Sequence, residues 1–111
     1  MTRFVASEIT LATEGDPQVV EAQVAAGLFA VHRVLDGRGW RLSHAPTGVG
    51  LPVYARTERR IKDMARRVMA HPALRLMLSH TTRARVEAAA SKAGVTEDLI
   101  REVAYGYDDD E

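Results

Sequence analysis

Residues 40–50, WRLSHAPTGVG, lead into LPVYA at 51–55 and then into the basic run RTERRIKDMARR at 56–67, and their reading decides the fold. Trp40, Leu42 and His44 alternate with Arg41 and Ser43, the period of a strand with one buried face. Pro46-Thr47-Gly48 then supplies a fixed φ followed by a residue free to take positive φ, so the chain reverses. In residues 57–72 the apolar positions Ile61, Met64, Ala65, Val68 and Met69 fall on one helical stripe, with Thr57 placed to cap the helix and Pro72 to stop it. Strand, turn, strand and amphipathic helix is therefore the expected order.

Outward from this stretch, the first half reads as strands. Glu8–Thr13 and Val19–Val24 flank the turn cluster Glu14-Gly15-Asp16-Pro17, which favours a hairpin. The competing reading makes Asp16 an N-cap and Pro17 a first helical residue, with Val19, Val20, Gln23, Val24 and Gly27 on one helical face, so residues 16–26 stay open between strand and helix. Leu28–Leu35 is rich enough in β-branched and aromatic residues for a strand, and the Asp36-Gly37 pair after it suits a tight hairpin. Beyond the basic helix, a short helical turn is expected at Ala73–Leu78, then helices over Thr82–Ala93 and Thr96–Tyr105 separated by Gly94. The expectation is one α+β domain over 1–111, strand-rich through 55, helical over 56–105, with an acidic tail at 106–111. Its architecture is an antiparallel β-meander packed against an amphipathic helix, followed by a C-terminal helical hairpin.

The 111 residues suffice for one modest core, and no window approaches the roughly 20 apolar residues that span a bilayer. Lacking a secretory-type N-terminus, the chain is expected in the cytoplasm, with no membrane contact. Without cysteine there is no thiol nucleophile, disulfide or thiolate metal site. The formal net charge of zero conceals segregation: residues 55–92 carry ten basic residues against three acidic, and from Ala93 onward one arginine faces seven carboxylates. Such asymmetry points to self-neutralisation, within or between chains, or to a basic surface for a polyanion or acidic protein.

The basic surface is expected on the helix. Arg56, Arg59, Arg60, Lys62, Arg66 and Arg67 lie opposite the apolar stripe, interrupted by Asp63, and are the candidate partner-binding residues. The plainer reading is a solvated polar face with local ion pairs. Nucleic acid stays open as a partner through this face, although no interleaved aromatic residue supports base stacking.

Ala90, Gly94, Val95, Ile100 and Val103 have the relative spacing of a helix-turn-helix, in which Thr96, Glu97, Asp98, Arg101 and Glu102 would enter the major groove. Thr96 and Arg101 are the DNA-binding candidates on that reading. Three carboxylates facing phosphates disfavour it, and a plain helical hairpin fits better. The four histidines show no ligand or triad spacing; His71 and His80 sit at expected helix ends, where a cation suits the C-terminal dipole. His44, Thr47 and Gly48 form a candidate loop site in which His44 anchors the turn by hydrogen bonding. Gly48-Val49-Gly50 is no phosphate loop, because no helix begins directly after it and no Gly-Lys-Ser or Gly-Lys-Thr follows. Catalytic residues, metal ligands and cofactors are not expected.

The segment from Phe29 to Val68 resembles a pattern in small phage-encoded proteins of largely unassigned function: a strand, a turn, W-x-[VL]-[TS]-H-x-P-T-G, another strand and an amphipathic helix. The matching residues are Trp40, Leu42, Ser43, His44, Pro46, Thr47 and Gly48. The resemblance implies provenance from a phage or mobile element and a compact protein that binds host machinery, a protein or ribonucleoprotein complex, including defence systems. It implies no catalytic residue, and the C-terminal hairpin and acidic tail lie outside it. The expected function is accordingly a non-catalytic accessory protein that inhibits or modulates a host macromolecule, in the manner of an anti-CRISPR or other anti-defence protein. A DNA-binding regulator is the alternative, a small enzyme the third reading, and a homodimer stays open.

Overall fold

The computed structural model describes residues 3–35 and 37–106. Five strands run β1 (Phe4–Leu11), β2 (Gln18–Ala25), β3 (Phe29–Arg33), β4 (Trp40–His44) and β5 (Gly50–Ala55). They form one antiparallel sheet in sequence order, β1-β2-β3-β4-β5. Four helices follow: α1 (Glu58–Ala70), α2 (Pro72–Leu78), α3 (Arg83–Ala93) and α4 (Glu97–Tyr105). The architecture is the expected α+β meander with a helical layer and a terminal hairpin. Within residues 16–26 the chain forms strand, not helix: β2 (Gln18–Ala25) pairs with β1 along its whole length, from Phe4↔Ala25 to Leu11↔Gln18.

Strand alternation divides the side chains between two faces. On one, Ala25, Phe29, Val31, Leu42, Leu51 and Val53 pack against Ile61, Met64, Ala65, Val68 and Met69 of α1, the stripe read from the sequence. Full burial of each large apolar side chain here contributes about 1.5–3 kcal/mol, so this contact carries most of the hydrophobic stabilisation. Ile100 and Ala104 of α4 and Leu74, Met77 and Leu78 of α2 complete the layer, whereas α3 buries no residue fully. The other face holds a small cluster of Ile9, Leu11, Ala22 and Ala30.

The helix signals are local and the structure uses them. Thr57, Thr82 and Thr96 each accept a hydrogen bond from the backbone N–H three residues on, and Gly94 takes φ 72° at the end of α3. Two expectations need correction. Beyond the last strand pair, Arg33↔Trp40, Val34 N–H donates to Gly39 O at 3.1 Å, so the chain reverses through more residues than the two-residue turn of a tight hairpin. Asp36 of the anticipated tight pair lies outside the described residues, as do residues 107–111 of the acidic tail. His71 sits at a helix end as expected, as the C-cap of α1 with its backbone N–H donating to Val68 O at 3.2 Å, and its Nδ1 also accepts from Leu74 N–H at 3.4 Å at the start of α2. Trp40 lies on the helix-facing side as expected but is only half-buried. Among the described residues no helix is long and apolar enough to cross a membrane.

Two features curl the sheet. Between Arg41↔Tyr54 and Ser43↔Gly50 the β4–β5 register shifts, so β5 carries a bulge that contains Pro52, a residue the regular ladder would exclude. At the other edge, Ala12 N–H donates to Gly48 O at 2.9 Å, drawing the end of β1 onto the β4–β5 turn. Gly48 permits this approach: its φ is +73°, and a Cβ there would overlap the carbonyl oxygen of Thr10.

Candidate functional site

The cations of α1, with Arg56 just ahead of it, separate into three kinds. Arg56 and Arg59 are exposed and Arg60 is half-buried, and none of the three pairs with a carboxylate among the described residues. Lys62 and Arg66 are partly neutralised, Lys62 by Glu58 at 2.9 Å and Arg66 by Asp63 at 3.0 Å. Both also lie over the Phe4 ring, at 5.4 and 5.3 Å from its centre, so an aromatic side chain from β1 sits at the margin of the cationic face. Glu58, also bonded by the Gln23 amide, has its carboxyl held below the usual range chiefly by its hydrogen bond with Lys62. Arg67 departs from the expected surface. Its Nη1 donates to Ala104 O at 3.2 Å and Tyr105 O at 3.0 Å, placing a guanidinium at the carbonyl end of α4. Only the packing of α4 beside α1 could assign it there.

The His44–Gly48 turn is anchored as the sequence suggested. His44 Nε2 donates to Leu78 O at 2.9 Å, which leaves Nδ1 to accept from the Thr47 hydroxyl at 2.8 Å, and Thr47 Oγ1 accepts in turn from Val49 N–H at 3.3 Å. Burial lowers the His44 pKa, against the raising effect of the Leu78 bond, so the ring is neutral and ties the β4–β5 turn to the end of α2. This histidine is structural.

The DNA-contact candidates are already engaged. Thr96 caps α4 through Leu99 N–H, and Arg101 pairs with Asp98 at 3.0 Å and Glu97 at 3.4 Å. An arginine held by two carboxylates of its own helix presents little net charge to a phosphate.

A further site lies on the helix-free face of the sheet, where register brings together residues the sequence does not. β3 sets His32 opposite Arg41 and Ala30 opposite Ser43, so His32, Arg41 and Ser43 share that face. His32 Nδ1 donates to Arg33 O at 2.7 Å, and its Nε2 accepts from the Ser43 hydroxyl at 2.8 Å. The pair has the connectivity of a base and a hydroxyl nucleophile, but among the described residues no carboxylate orients the imidazole, and Ser43 is fully buried, out of reach of a substrate in this conformation. Burial, with Arg41 nearby, lowers the His32 pKa and keeps the ring neutral. Above the pair is a cavity of about 240 Å³, bordered also by Leu11, Val34, Leu35, Arg41 and Tyr54. Strand alternation alone could have put His32 with Ala30, but pairing it with Ser43 requires the β3–β4 register. Among the described residues no three His, Asp or Glu side chains gather as a metal site.

No protein-family model, curated protein or solved structure matches this chain.

Proposed function

We propose that this chain is a non-catalytic accessory protein of a phage or mobile element that binds an acidic host macromolecule, a protein or ribonucleoprotein complex, in the manner of an anti-CRISPR or other anti-defence protein. The observation that carries the reading is the group of Arg56, Arg59 and Arg60, without carboxylate partners among the described residues, beside Lys62, Arg66 and the Phe4 ring. Guanidinium groups in that setting bind carboxylates or phosphates bidentately, and their fields speed encounter with an acidic partner. The phage provenance comes from the W-x-[VL]-[TS]-H-x-P-T-G resemblance. Against the DNA-regulator alternative stand the intrahelical pairs of Arg101.

The test replaces Arg56, Arg59 and Arg60 with glutamine together, leaving Arg67 in place because it caps α4. Affinity capture from host lysate and in-cell anti-defence activity are the expected losses, with unchanged thermal unfolding. Full capture and activity by a folded triple variant refutes the proposal. A sequence-specific duplex complex at nanomolar concentration, abolished by Arg101→Ala, would install the DNA-binding alternative instead.

A further inference from the structure

The cavity on the helix-free face contains a side chain whose placement the surface reading leaves unexplained. Arg41 is half-buried, and its guanidinium is fixed on several sides. Nε donates to Leu51 O at 3.1 Å, Cζ lies 4.8 Å from the centre of the Tyr54 ring, and the group rests directly on Gly50, where any Cβ would overlap it. The β5 bulge creates this seat by bringing Gly50 opposite Ser43, two residues along from Arg41. Among the described residues no carboxylate pairs with Arg41, and its terminal nitrogens have no protein acceptor.

A guanidinium cannot discharge by losing its proton, so a partly desolvated and unpaired one favours an anion. Because its orientation is already fixed, little side-chain entropy is lost on binding. The remaining borders define which anion. Leu11, Ala12, Val34 and Leu35 are apolar, the Tyr54 ring adds an aromatic wall, and the polar side chains are already engaged, the Thr13 hydroxyl donating to Asp16 O at 2.7 Å and the His32–Ser43 pair satisfied internally. A neutral His32 leaves a single positive charge, which matches a monoanion better than a phosphate dianion. The volume of about 240 Å³ corresponds to roughly eight water-sized volumes, room for a ligand of fewer than about ten non-hydrogen atoms.

We propose that this cavity is a binding site for a small monocarboxylate with an apolar or aromatic body, its carboxylate held by Arg41 and its body against Leu11, Val34, Leu35 and Tyr54. The site is separate from the α1 face and does not depend on the host-binding reading.

Benzoate is the probe, titrated into the full chain at neutral pH and constant ionic strength while amide ¹⁵N–¹H shifts are followed. Benzamide, its neutral analogue, and inorganic phosphate are run in parallel. Saturable shifts at Arg41, Ser43, Gly48, Gly50 and Tyr54 are expected with benzoate alone. Arg41→Gln, confirmed as folded by its unfolding curve, should weaken binding by about tenfold or more, the scale of a lost charge-assisted pair. Leu35→Glu provides a second variant: Leu35 is 53% exposed, so the fold tolerates the change while a carboxylate at the cavity border competes for Arg41. The same loss is expected. Absence of saturable shifts, equal binding of benzamide or phosphate, or benzoate affinity unchanged in either folded variant would overturn the proposal.

Discussion

Gly48 and Gly94 have nearly the same backbone conformation, φ +73° and +72°, in opposite surroundings. Alanine at either position must take a left-handed conformation, at a cost of about 1–2 kcal/mol. At Gly94 nothing lies within 4 Å of the added carbon, and the cost stops there. At Gly48 the carbon meets backbone: it overlaps Thr10 O and lies 3.0 Å from Ala12 N, and no side-chain rotation relieves either contact. The end of β1 must move away, which breaks the Ala12–Gly48 hydrogen bond and loosens Ile9 and Leu11, now 8% and 6% exposed. The lost hydrogen bond costs about 1 kcal/mol. Partial exposure of two aliphatic side chains adds about another 1–2 kcal/mol. Gly48→Ala should therefore destabilise the chain by about 3–5 kcal/mol, roughly 2–3 more than Gly94→Ala, a large share of the 5–15 kcal/mol typical of a small domain. Urea unfolding followed by tryptophan fluorescence measures both variants, and with a slope near 1–2 kcal/mol per molar the midpoints should differ by about 1–3 M. Equal midpoints would refute the contact between β1 and the turn, because conformation alone cannot separate the two glycines.

The remaining expectations concern single side chains. Arg67→Gln should cost about 1–2 kcal/mol by uncapping α4, whereas Arg59→Gln should change thermal unfolding by less than about 0.5 kcal/mol; equal effects would return Arg67 to the open surface. Trp40→Ala should lose about 2 kcal/mol in urea melts rather than the 3–5 of a fully buried aromatic, since its ring is half-buried beneath the Arg33 guanidinium at 5.1 Å; a loss above about 4 kcal/mol would mean a closed environment. His32 and His44 have pKa values lowered by burial, so below about pH 6.5 the unfolded chain binds more protons than the folded one. Their contribution is complete above that pH and lost as pH falls through it toward the folded-state values. Thermal stability should rise from pH 5 to pH 7.5, with a shallower slope in His44→Gln; a flat profile for the unmodified chain would refute neutral burial.

The sequence by itself determined the elements whose physics is local. The Ile61-to-Met69 stripe needs only the 3.6-residue period, and Thr57, Thr82, Thr96 and Gly94 mark helix ends because caps act within a turn of chain. His44 was legible as a turn anchor since Thr47 lies three residues away, although Leu78, which fixes its tautomer, does not. Only tertiary structure assigned Arg67 to the α4 carbonyls, left Trp40 half-exposed, and gathered His32, Ser43 and Arg41 beside one cavity. A charged or polar side chain takes its role from what lies across from it, and that depends on strand register and helix packing between residues far apart in the chain.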